Sequence, residues 1–164
     1  MKKGIIILLV LAVALSISGC FAPNPQPTVN DVQSSLDRDM EYLSIIVLFM
    51  CSTQYENIYI IDNNGMMLAE MPGDLENVKI EDNNVVDAIE YLLWNQKYRE
   101  ICKLGNTIYF MQWSSVHERD CGIAYSINGV DQPEIPYMTE CVPLSQENWF
   151  YCFADYNLSR IQDG

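Results

Sequence analysis

Apolar residues between Asn30 and Ser52 recur at Val32, Leu36, Met40, Leu43, Val47 and Met50, in steps of three and four. That spacing follows one face of an α-helix and predicts a helix from Asn30 to about Ser52. Thr28 or Asn30 can cap its start, and Asp31 puts a negative charge near the positive end of the helix dipole. The second half, "LSIIVLFM", is apolar almost all round and should lie deep in the domain. Its β-branched Ile45, Ile46 and Val47 would also suit a buried strand. The stripe runs through them without a break, which favours the helix.

The period then changes. A β-branched and aromatic run predicts a strand from Ile58 to Asp62, and Asn64-Gly65 supplies a tight turn into a return strand from Met66 to Glu70. "PGDLENVKIED" reads as a loop with a short extended piece at Val78 to Ile80. A second helix should begin near Asn84, with Asp87 in a capping-box-like place, and end near Gln96. Its apolar face combines Val85, Val86, Ile89, Leu92 and Leu93. "YREICKLGNTIYFMQWSS" predicts a hairpin turning at Gly105-Asn106, with strands over Tyr98–Lys103 and Thr107–Ser114. "CGIAYSI" and "WFYCFADY" add two strands. Between them, Pro133, Pro136 and Pro143 mark an irregular excursion. Strands joined by tight turns run antiparallel. The expected class is therefore α+β, an antiparallel sheet with a long N-terminal helix and a second helix packed on it.

The first residues follow a different rule. Lys2 and Lys3 precede an uninterrupted apolar run from Ile5 to Leu15, and the small residues Ser16, Ser18 and Gly19 follow. This is the layout of a secretory signal peptide. The run is short of the roughly 20 apolar residues that a permanent span needs. "Ile17-Ser18-Gly19-Cys20" resembles the lipobox of bacterial lipoproteins. That resemblance implies that Cys20 carries a diacylglyceryl group and becomes the mature N-terminus; the plainer alternative is an ordinary signal peptide with a cysteine nearby. Two or three acyl chains would meet the two-anchor condition for stable attachment. Prolines 23, 25 and 27 in "FAPNPQPTVND" predict an extended, semi-rigid tether. The expected division is a leader over 1–19, a lipidated cysteine and tether over 20–29, and one domain over 30–164. The expected location is the cell membrane, lipid-anchored and facing the extracytoplasmic side.

Charge narrows the partners. The leader holds two of the nine basic residues and none of the 22 acidic ones, which leaves seven against 22 and a formal charge of −15 from Cys20 onward. Such a surface repels nucleic acid, so none is expected as a partner. It keeps the domain soluble and would also suit a basic partner. Beyond Cys20 the cysteines are Cys51, Cys102, Cys121, Cys141 and Cys152, an odd number that leaves at least one thiol unpaired. Cys51, Cys102, Cys121 and Cys152 fall in predicted elements among apolar residues, as small buried hydrophobes do. Export permits disulfides, and at most two are expected, with the pairing among the five left open. No CxxC or CxxH spacing occurs, so neither a metal site nor a cofactor is expected.

Candidate chemistry is sparse. The lone histidine, His117, lies in the loop "SSVHERDCG", where Cys121 could serve as a nucleophile and Asp120 or Glu118 could orient the ring. The spacing is unspecific and a loop tip excludes water poorly, so a plain loop histidine is favoured and no catalytic residue is assigned. "DNNG" (Asp62 to Gly65) and "EDNN" (Glu81 to Asn84) lack the twelve-residue ligand pattern of a calcium loop. A turn and a helix cap account for them. Aromatic residues crowd the last strands. With helices on one face only, Trp113, Trp149 and Tyr151 are the candidates for an exposed binding patch, against core packing for most of the rings.

The helix–strand–turn–strand order and the phrase "IYIIDNNGMMLAE" resemble extracellular PAS-like (Cache-type) sensor domains, and profilin-like domains share much of that order. The resemblance, over Asn30 to Ile127, implies a small-ligand pocket between sheet and helices. The sequence thus leads to a membrane-anchored, non-catalytic module that binds a small molecule or a protein. An inhibitor or immunity lipoprotein is a more specific form of it. An envelope hydrolase using a cysteine with His117 is its rival.

Overall fold

The computed structural model describes residues 25–60, 65–71, 74–115, 118–129 and 132–158. Helix α1 spans Val29–Ser52 and is followed by β1 (Asn57–Ile60), β2 (Met66–Met71) and β3 (Asp74–Lys79). Helix α2 (Asn83–Glu90) runs into a π-helical turn over Tyr91–Asn95. Strands β4 (Glu100–Leu104), β5 (Thr107–Ser114), β6 (Arg119–Ser126), β7 (Met138–Pro143) and β8 (Trp149–Asp155) complete the chain order. The strands form one sheet in the order β3-β2-β1-β4-β5-β6-β8-β7, and every neighbouring pair is antiparallel. This is the expected α+β architecture, with two more strands than the sequence pattern predicts.

Thr28 is the cap of α1. Its hydroxyl accepts from the Asp31 N–H at 3.3 Å while its own N–H donates to Asp31 Oδ2 at 2.9 Å. The buried stripe reads Val32, Leu36, Asp39, Leu43, Ile46 and Met50, stepping by three and four, with Val47 beside it. Met40 is half-buried next to this stripe, and the charged Asp39 takes the inward position instead. Both Asp39 oxygens accept from Arg38, at 2.8 Å from Nε and 2.6 Å from Nη2. Tyr98 donates to the same carboxylate at 3.0 Å and Tyr91 at 3.4 Å. Stacking of Tyr42 on Tyr91, with centroids 3.8 Å apart, joins α1 to the π-helical turn.

The far end of α1 has no basic residue of its own. Lys103, buried on β4, fills that role by donating from Nζ to the carbonyls of Met50 (3.1 Å) and Tyr55 (2.7 Å). A cation there complements the negative end of the helix dipole and occupies carbonyls that the helix leaves unpaired. The cap of α2 is Asp82, which accepts from the Asn84 N–H at 2.9 Å, and the helix begins one residue ahead of the expected start.

Both helices lie on one face of the sheet. Beneath them Ile58, Ile60, Met67, Ile101, Ile108, Phe110, Cys121 and Ile123 join the helix stripes in the main core. Gly122 sits where β5 approaches very closely: an added Cβ would lie 2.2 Å from the Phe110 carbonyl oxygen. The edges of the sheet are protected. β3 carries the exposed Glu76 and Lys79, and β7 carries a register shift between Met138 and Glu140 and ends on Pro143.

Candidate binding face

The structure redistributes the residues singled out from sequence. Trp149 and Tyr151 are 6% and 2% exposed, on the helix side of the sheet, where Trp149 meets Tyr125 edge-on at 5.0 Å. Trp113 is half-buried against the same core. They do not make an exposed aromatic patch. Alternation gave β8 two apolar faces, and the helices cover the one bearing Trp149 and Tyr151. Cys51, expected among the buried cysteines, is exposed on the outer side of the last turn of α1.

Cys121 is fully buried, and burial pushes its thiol up to about 12, against a lowering contribution from its hydrogen bond with Tyr151. An activated nucleophile requires the opposite shift. His117, the leader and Cys20 lie outside the described residues. The end of the tether is held against the domain: Gln26 Nε2 donates to Tyr151 Oη at 3.2 Å, and the Pro27 carbonyl is 3.9 Å from Cys121 Sγ. Chain length alone then limits Cys20 to roughly 17 Å from Pro25, five residues at full extension.

The face turned away from the helices carries a second apolar cluster around Cys102, Tyr109, Met111, Ala124, Ile135, Cys152 and Ala154. Strand register makes one continuous row across it. Leu68 pairs with Tyr59, Tyr59 with Cys102, Cys102 with Tyr109, Tyr109 with Ala124, and Ala124 with Phe150. Ile135, from the segment after β6, packs into the same cluster. Towards β3 the row opens: Tyr59, Leu68 and Leu104 are half-buried and Leu75 is 54% exposed. An open groove of about 400 Å³ separates Leu104 and Gly105 from Glu134, Ile135 and Pro136.

Carboxylates surround this surface. By register Glu70, Glu100 and Asp120 project from the same face, with Lys79 at its edge and Glu134 beside the groove. Burial holds the Glu100 carboxyl above its ordinary range, and the neighbouring charge of Asp120 adds to this. Burial likewise raises Asp120, against lowering hydrogen bonds from Ser114 and Tyr156. Beneath them Tyr109 Oη is buried with no hydrogen-bond partner among the described residues. The surface is thus apolar in the middle with carboxylates at its margin, and a cation approaching Glu100 would favour its charged form.

The Glu100 shift has a thermodynamic consequence. A carboxyl that holds its proton more tightly when folded stabilises the fold at low pH and loses that contribution as pH rises through the folded-state value. Glu100→Gln should therefore gain in melting temperature over the parent between pH 4 and pH 7. Paired thermal melts check this, and a difference that is flat or falls with pH would refute it.

Comparisons of the chain with protein-family models, with curated proteins and with solved structures find no match.

Proposed function

We propose that this chain is a membrane-anchored extracytoplasmic lipoprotein whose domain binds a basic partner through the sheet face opposite the helices. The observation that carries the reading is the apolar row from Leu68 through Tyr59 to Cys102, open towards Leu75 and bordered by Glu70, Glu100 and Asp120. Apolar area supplies the affinity, and the surrounding carboxylates supply long-range attraction and select for positive charge. The formal charge of −15 beyond the leader reinforces that selection. The lipobox-like "Ile17-Ser18-Gly19-Cys20" and the short distance from Cys20 to Pro25 support placement close to a membrane surface. The raised thiol of Cys121 supports a non-catalytic role over a cysteine hydrolase. An inhibitor or immunity function is this same reading applied to a basic secreted protein.

A peptide of alternating lysine and leucine tests the face directly. It should bind the domain more tightly than a glutamate–leucine counterpart. Leu68→Ser with Leu75→Ser should weaken that binding by roughly tenfold, because less apolar area leaves water. Leu48→Ser, a change at a still more exposed leucine on α1, should leave the affinity unaltered. Equal binding of both peptides, or equal weakening in both variants, would contradict the assignment.

A further inference from the structure

Cys141 and Cys152 stand directly opposite each other on β7 and β8, with their sulfurs 3.6 Å apart. The hydrogen-bond pattern identifies the kind of pair. Leu144 N–H donates to the Trp149 carbonyl at 2.9 Å, one step beyond Pro143 opposite Phe150. In an antiparallel ladder bonded and non-bonded pairs alternate, so Pro143–Phe150 is non-bonded, Val142–Tyr151 bonded and Cys141–Cys152 non-bonded. Pro143, which has no N–H, suits its place. Non-bonded pairs bring their Cα atoms to about 4.5 Å, at the short end of the range a disulfide spans.

No other pairing is comparably placed among the described cysteines. Cys121 projects into the helix-side core and Cys51 lies at the end of α1, while Cys102 shares the face but is three strand spacings away, on the order of 14 Å. The two partners also differ in access, since Cys141 is half-buried and Cys152 is buried. The hydrogen bond from Cys152 lowers the Cys141 thiol, and the same contact with burial raises Cys152.

We propose that Cys141 and Cys152 form a reversible disulfide, made by exchange with a low-molecular-weight disulfide, that fastens the edge strand β7 to β8. The Cys141 thiolate attacks one sulfur of the oxidant RS–SR, forming a mixed disulfide and releasing RS⁻. Cys152 then gives up its proton to solvent and attacks the Cys141 sulfur, expelling the second RS⁻. Two protein thiols and RS–SR become one protein disulfide and two RSH. The partial exposure of Cys141 leaves the bond open to attack by an external thiol, as labile rather than permanent disulfides are. It would hold in place the strand that terminates the sheet, and an exported location is one where it would persist.

The test uses the full chain in detergent with Cys51→Ser, which removes the exposed competing thiol. The protein is treated with oxidised glutathione, quenched in acid, unfolded, alkylated and cleaved after glutamate. Cleavage after Glu140 and Glu147 puts Cys141 and Cys152 on separate peptides. The expected product is those two peptides joined, lighter by two hydrogen atoms, and separated and alkylated after dithiothreitol. With Cys152→Ser the reaction should stop with glutathione on Cys141. With Cys141→Ser, a milder change at a half-buried site, Cys152 should stay reduced. Two separately alkylated peptides in the oxidised parent, glutathione retained on its Cys141, or a link to a different cysteine would each overturn the proposal.

Discussion

Asp39→Ala is expected to destabilise the domain by about 3 kcal/mol, a fall in melting temperature of about 10 °C for a domain of this size. The cost arises in two places. Tyr98 is deprived of its acceptor at 3.0 Å in a buried site and keeps only its hydrogen bond with Gln112. The Tyr91 hydroxyl gives up its acceptor at 3.4 Å, so the polar connection between α1 and the π-helical turn weakens. Arg38 contributes less to the penalty, because its side chain is 49% exposed and water can replace the carboxylate. Asp39→Asn keeps the size and one acceptor, so it should recover about half of the stability. Equilibrium unfolding of both variants checks this; equal stability of alanine variant and parent would show that the network contributes little.

The same residue shows where the sequence pattern is informative and where it is not. A period of 3.6 locates α1 to within one residue, because apolar positions recur without interruption. It passes over Asp39, since a carboxylate at an inward position contradicts apolar patterning unless its partners are known. Arg38 is adjacent but half-exposed, and the two partners inside the fold, Tyr91 and Tyr98, lie 52 and 59 residues away in sequence, beyond the reach of any local signal. The hairpin β4–β5 was legible from its glycine turn, and Gly105 does adopt positive φ (54°). β3 and β7 were not. Their sequences, "DLENVK" and "MTECVP", carry the charges and proline that protect sheet edges, and those residues lower strand propensity.

The candidate face was hidden for a related reason. On β5 the inward Ile108 and Phe110 alternate with Tyr109 and Met111, so both faces are apolar and no contrast of polarity marks the covered one. Placement of α1 decides the matter, and that follows from packing. Trp149 and Tyr151 fall beneath the helices, while the open row runs through Leu68 and Tyr59, in strands whose individual residues gave no sign of a shared surface. The sulfur pair is hidden in the same way, because its register depends on β7.

Cys20 is the residue on which the proposed membrane attachment depends. On the proposed reading, thioether attachment of a diacylglyceryl group, with the chain cut before Cys20, would hold the acidic domain at a membrane, since two acyl chains give stable anchoring where one gives marginal binding. Cys20→Ala should remove all lipid from the protein while leaving the fold of residues 25–158 unchanged, because Cys20 precedes every described contact. The decisive measurement is the mass of the N-terminal peptide of the protein isolated from membranes, before and after mild base. The expected peptide begins at Cys20 and carries ester-linked acyl chains that base removes. A peptide beginning elsewhere, or beginning at Cys20 with a free thiol, would contradict it.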